Sequence, residues 1–213
     1  MEILNNITPG FIFTSSFGCL YPSISFNKEL ETFAFKMEKN TPSLNISNQK
    51  GYHSDYLSED IPIIKKFFNA IKPVVHKYTD TLHIKTPYRI CFDKPWLNIN
   101  NKGASNIAHN HPHTFLAAVY YIKTPAHGGS LCFLNPRSPS LFSLQYTKYT
   151  NENSSFWKIK PAVGNLIIFP ADLLHSVEVN QSDEPRISLA FNIDIDQIDL
   201  NGQYDINKEK VKR

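Results

Sequence analysis

The sequence predicts a mainly β fold with helices at its N-terminal side: a double-stranded β-helix of the jelly-roll kind, buttressed by α-helices. Two observations lead there. The apolar period is helical early in the chain and becomes strand-like from Tyr88 onward, and the later part is cut by Gly, Pro and Asn into short apolar runs. Short strands that follow helices close most simply as two packed sheets with the helices against one outer face.

In order along the chain, Leu30, Phe33, Ala34 and Met37 recur at helical spacing within residues 26–39, with Asn27 as a candidate cap. Residues 60–84 carry a longer stripe through Ile64, Phe67, Phe68, Ile71, Val75 and Tyr78, which Pro73 should kink or interrupt. Such a stripe is core and carries no chemistry. Strands are expected at 88–92, 95–100, 114–123, 129–134, 155–160, 164–169, 174–179 and 186–194. Residues 135–155 are polar with isolated aromatics, so they are a candidate lid, whose Phe142, Tyr146 and Tyr149 either meet the substrate or fasten the loop to the barrel. The whole chain, 1–213, reads as one domain: helical support over 1–86, a jelly-roll core over 87–195 and a tail over 196–213.

Three of the eight histidines fall within five positions in HNHPHTFLAAVYYI, and a fourth stands in FPADLLHSV. His109 and His111, one residue apart in an extended segment, project from one side, and His175 from a distant strand completes one face of a coordination sphere. His113 competes with His111 for the second position, although Pro112 and the following turn could redirect it. Arg186 follows His175 by eleven positions, with Ser188 on the same strand face, a pair suited to a carboxylate beside the metal. The alternative for Arg186 is a surface salt bridge with Asp183 or Glu184. The strand ISLAF that follows argues instead for an inward guanidinium, which needs an anionic partner.

These segments, with the YY strand at Tyr120 and Tyr121, G-x-L-x-F-x-x-P-R over Gly129 to Arg137 and R-I-S-x-x-F-N over Arg186 to Asn192, resemble the iron(II)- and 2-oxoglutarate-dependent oxygenases. The likeness spans Trp96 to Asn192 and weakly takes in SNQKGYHS upstream. It is closest to a little-characterised microbial and phage group with H-x-H-P. Most such oxygenases carry a carboxylate where His111 stands, so the resemblance implies a three-histidine metal face of His109, His111 and His175. It also implies the jelly-roll fold, Fe(II), 2-oxoglutarate as cosubstrate, O2, ascorbate as reductant, and release of succinate and CO2 as an unactivated C–H bond is hydroxylated. Arg186, Ser188, Tyr120 and Asn98 are the candidate cosubstrate contacts; alternation sends only one of Tyr120 and Tyr121 inward, and the choice stays open. Asn98 and Asn100 could meet the cosubstrate, support the ligands or simply be solvated on an edge strand. The contrasting reading is a cupin-type three-histidine metalloprotein without 2-oxoglutarate, a thiol dioxygenase, isomerase or binding protein. Arg186-x-Ser188 argues against it.

Composition excludes other classes. The net charge of +3 equals the excess in the terminal NKEKVKR alone, so the body is neutral and no nucleic-acid footprint is expected. Cys19, Cys91 and Cys132 suggest neither disulfides nor a zinc motif, which fits a cytoplasmic setting. No apolar run is of membrane-spanning length and no signal peptide is recognised. The expected partner is a small-molecule or peptide substrate, and a homo-oligomer is compatible with the sequence.

Overall fold

The computed structural model describes residues 4–7, 12–16, 23–84, 87–134, 147–148 and 156–197. Phe142, Tyr146 and Tyr149 of the expected lid, and the tail beyond Gln197, lie outside the described residues.

Twelve strands and two helices are described: β1 (Leu4–Ile7), β2 (Ile12–Ser16), α1 (Ser23–Asn40), β3 (Asn48–Gln49), β4 (Tyr52–His53), α2 (Pro62–Asp80), β5 (Tyr88–Asn100), β6 (Ser105–His109), β7 (Leu116–Lys123), β8 (Leu131–Leu134), β9 (Phe156–Ile159), β10 (Asn165–Pro170), β11 (His175–Val177) and β12 (Arg186–Gln197). They form a seven-stranded sheet, β1-β2-β10-β7-β12-β5-β4, and a five-stranded sheet, β3-β6-β11-β8-β9. Their paired strands run antiparallel throughout. The jelly roll and its flanking helices are therefore as the sequence predicts, but the segment before Tyr88 contributes strands to both sheets as well as helices.

The seven-stranded sheet is buried on both faces. Outward, Leu97, Ile99, Leu116, Ile122, Leu189 and Phe191 meet Leu30 and Ala34 of α1 and Ile64, Phe67 and Ile71 of α2. Inward, Tyr121, Ile167 and Phe169 meet Leu131, Phe133 and Trp157 of the smaller sheet. Burial on two faces explains why these strands read as near-continuous apolar runs rather than alternating ones.

Three local features depart from the sequence reading. The runs 88–92 and 95–100 are one strand, joined through a bulge: β12 pairs Ala190 with Trp96 but Asn192 with Asp93, which leaves an extra residue in β5, and Lys94 adopts a φ of 49° there. The bulge also accommodates Pro95 inside a strand. Pro73 lies within an unbroken α2. Pro73 and Asn69, whose carbonyl its ring deprives of a partner, are both exposed, so water can take up the unmet acceptor. Asn27 does not cap α1 but sits inside it. Its side chain donates to the Ile122 carbonyl and accepts from the Tyr120 hydroxyl at 3.0 Å, tying helix to sheet. Among the described residues no helix is long and apolar enough to cross a membrane.

Candidate metal centre and anion pocket

β6 and β11 are antiparallel neighbours of the smaller sheet, with His109 and His175 opposite one another, so the two imidazoles meet with ring centroids 4.3 Å apart. His111 lies just past the end of β6, where its N–H donates to the Ala171 carbonyl at 2.8 Å. That bond turns the chain back, bringing its ring to 5.2 Å from both His109 and His175. One potential ligand nitrogen from each of His109, His111 and His175 lies within 4.8 Å of the others. His113 is not brought there: it is exposed in a turn with φ 68°.

The donor set suits a divalent metal. Nδ1 of His109 faces the Ile107 carbonyl at 2.8 Å, and Nδ1 of His175 faces the Leu173 carbonyl at 2.9 Å. A carbonyl can only accept, so each Nδ1 carries the proton and each Nε2 keeps its lone pair for a ligand bond. Burial, then the neighbouring His109, holds His111 down at about 4. Burial first, then His109, holds His175 at about 3 against the opposing bond to Leu173. His109 is lowered too, again chiefly by burial. All three imidazoles are thus neutral, the form a metal requires, at ordinary pH.

The cavity between the sheets is narrow, about 50 Å³, and runs from these histidines to Arg186. Strand register sets its wall. Ser188 pairs with Asn98 on one side and Tyr121 on the other, and His53 pairs with Asn98, so four polar side chains from β7, β12, β5 and β4 stand in one row. Arg186, Ser188 and Ala190, spaced by two along β12, all line the cavity.

Arg186 is only 2 % exposed. Its Nη1 donates to the Gly128 carbonyl at a long 3.4 Å, and Nε has no partner among the described residues. Asp183 and Glu184, its alternative partners, instead bond Lys102 at 2.7 Å and Lys123 at 3.1 Å. Burial works against the guanidinium's charge, with no described carboxylate beside it to compensate. Asn98 also lines the cavity with a buried Oδ1 that has no partner among the described residues. Buried groups left unmet in this way mark where a polar ligand fits.

Tyr120 is not at the site. It faces α1 and α2, bonded to Asn27 and packed on Phe67 with ring centroids 5.0 Å apart, whereas Tyr121 lines the cavity near Arg186. Burial pushes the Tyr121 phenol up to about 12, so it remains a hydrogen-bond donor. Asn100 turns to Asn106, donating at 3.1 Å, and supports the wall. Two residues with no individual sequence signal complete the surroundings. His53 stacks on Trp96 at 5.8 Å and 11°, and Trp96 lies 5.5 Å from His111, so an aromatic row backs the second histidine. SNQKGYHS was the only hint of His53, and a lone histidine there has no partner pattern to reveal it.

Residues 94–192 match a family model described as "Putative 2OG-Fe(II) oxygenase". No curated protein matches the chain by sequence. Solved structures do share its fold. A Pseudomonas putida prolyl-4-hydroxylase is 11% identical with a TM-score of 0.61, covering 86% of this chain and 91% of its own. HygX from Streptomyces hygroscopicus, with nickel, 2-oxoglutarate and hygromycin B bound, is 10% identical at 0.60, covering 86% and 82%. The epimerase SnoN in complex with Fe3+, alpha ketoglutarate and nogalamycin RO is 13% identical at 0.63, covering 87% and 80%.

Proposed function

Residues 94–192 match the 2OG-Fe(II) oxygenase family model, and from that premise we propose that this chain is such an oxygenase and hydroxylates an unactivated C–H bond of a small-molecule or peptide substrate. His109, His111 and His175 would hold Fe(II), and Arg186, with Ser188, Tyr121 and Asn98, would hold 2-oxoglutarate. The bound metal and cosubstrate supply the chemistry: with O2, oxidative decarboxylation to succinate and CO2 delivers one oxygen atom to the C–H bond, and ascorbate keeps the metal reduced.

The chain's own residues orient and shield. Three neutral imidazoles leave the metal's full positive charge to be balanced by anionic ligands, which favours a diacid over a neutral molecule. Arg186 offers a bidentate fork to the distal carboxylate, and the un-ionised Tyr121 phenol can donate beside it. A slot of about 50 Å³ favours an unbranched acid chain and leaves little room for water.

One observation carries the reading: a buried arginine, without an anion among the described residues, lines the same cavity as a three-histidine cluster. Titration calorimetry of metal-loaded protein with 2-oxoglutarate tests it. Saturable binding should weaken far more in Arg186→Leu than in Arg186→Lys, which keeps charge but loses the fork. Equal affinity in wild type and Arg186→Leu would refute it.

A further inference from the structure

Behind Arg186, away from the histidines, lies a second and larger hollow of about 570 Å³. The segments 124–130, 160–161 and 178–181 wall it, and Arg186 is the one residue it shares with the metal-side cavity. Arg186 therefore lines both spaces, almost fully buried, and among the described residues its guanidinium bonds through Nη1 to Gly128 of the hollow's wall.

The charges around the hollow are unbalanced. Lys160 is exposed with no ion pair among the described residues, and the His127 ring makes no bond there. Glu178 is the carboxylate in the wall, and it is already taken: it accepts from Lys158 at 2.6 Å and from the Ser130 N–H at 3.1 Å. Lys160 and the buried Arg186 thus face a space with no spare negative charge. Thr124, Ser130 and Gln181 add neutral hydrogen-bonding groups.

We propose that this hollow is a second oxyanion subsite, which takes a small ligand through a phosphate or carboxylate group, and that its occupant lowers the affinity for an anion on the metal side. One guanidinium carries one charge. An anion on its outer face neutralises that charge and repels a second anion on the inner face, and by linkage the effect is reciprocal. The coupling rests on the cosubstrate reading above; the subsite does not.

The test uses the full-length, nickel-loaded protein at constant ionic strength. Sulfate and acetate, the probes for phosphate and carboxylate groups, are titrated separately by calorimetry without 2-oxoglutarate. Saturable binding is expected for at least one, lost in Lys160→Glu, and the tighter probe identifies the group. With that anion saturating, the 2-oxoglutarate Kd of wild type should rise about fivefold or more, while that of Lys160→Glu should not change. No saturable binding of either anion, or binding that survives Lys160→Glu, overturns the subsite, since the latter marks competition at the inner face. Saturable binding with an unchanged 2-oxoglutarate Kd overturns the coupling. If 2-oxoglutarate does not bind at all, the cosubstrate reading fails, and the Lys160→Glu comparison still decides the subsite.

Discussion

At the scale of single residues, the account turns on which side chains face the cavity. His109→Ala or His175→Ala should abolish metal retention, because a two-ligand remnant loses its chelate, whereas the exposed His113→Ala should keep it. Metal content by mass spectrometry decides this, and loss in His113→Ala with retention in His111→Ala would reverse the ligand assignment. The adjacent tyrosines separate in the same way. Tyr121→Phe should weaken 2-oxoglutarate binding about tenfold, as expected for one hydrogen bond to a charged group. Tyr120→Phe should lower thermal stability, through its bond to Asn27, and leave that affinity unchanged. Acid stability tests the histidine burial. In metal-free protein the unfolded imidazoles take up protons near the ordinary 6.5, but His111 and His175 resist until about 4 and 3. The unfolded state therefore binds more protons between those values, and stability falls as pH drops through that window but is unaffected above it. Urea midpoints of metal-free protein should be lower at pH 5 than at pH 7.5, and bound metal, which favours the folded state, should raise both.

At the scale of elements, the strands that hold the site were unequally legible. β7, β10 and β12 announce themselves by apolar content, but β6, which ends in His109, is SNIAH, whose two apolar residues, Ile107 and Ala108, are both exposed. Nothing in its composition separates it from a loop. Tyrosine facing was illegible for the opposite reason: β7 is buried on both faces, so LAAVYYIK has no polar side to orient it. The histidine cluster was legible because ligand chemistry restricts residue type, and Arg186 because a charge in a core strand requires a reason. Two substitutions probe the elements themselves. Gly129 has φ 86°, and an added Cβ would lie 2.4 Å from the Glu178 carbonyl oxygen, which is backbone and cannot swing away. Gly129→Ala should therefore lower Tm by several degrees and weaken metal binding, since Glu178 follows directly on β11, which begins at His175. Pro73→Ala should do the reverse. Restoring a helix hydrogen bond on the exposed face of α2 should raise Tm by about 3 °C or more with metal binding unchanged.

At the scale of the whole molecule, two cores divide the work. Helices and the seven-stranded sheet form one apolar core, and the cavity lies in the other, between the sheets, so the polar site does not interrupt the larger core. The central claim is that this cavity joins a three-histidine metal centre to an arginine that captures 2-oxoglutarate. Its most direct test is succinate formation from 2-oxoglutarate with Fe(II), ascorbate and O2, followed by NMR without any added substrate. Wild type should form succinate slowly, with production lost in His175→Ala and Arg186→Leu but kept in His113→Ala. Iron-loaded wild-type protein that neither forms succinate nor binds 2-oxoglutarate would contradict the account.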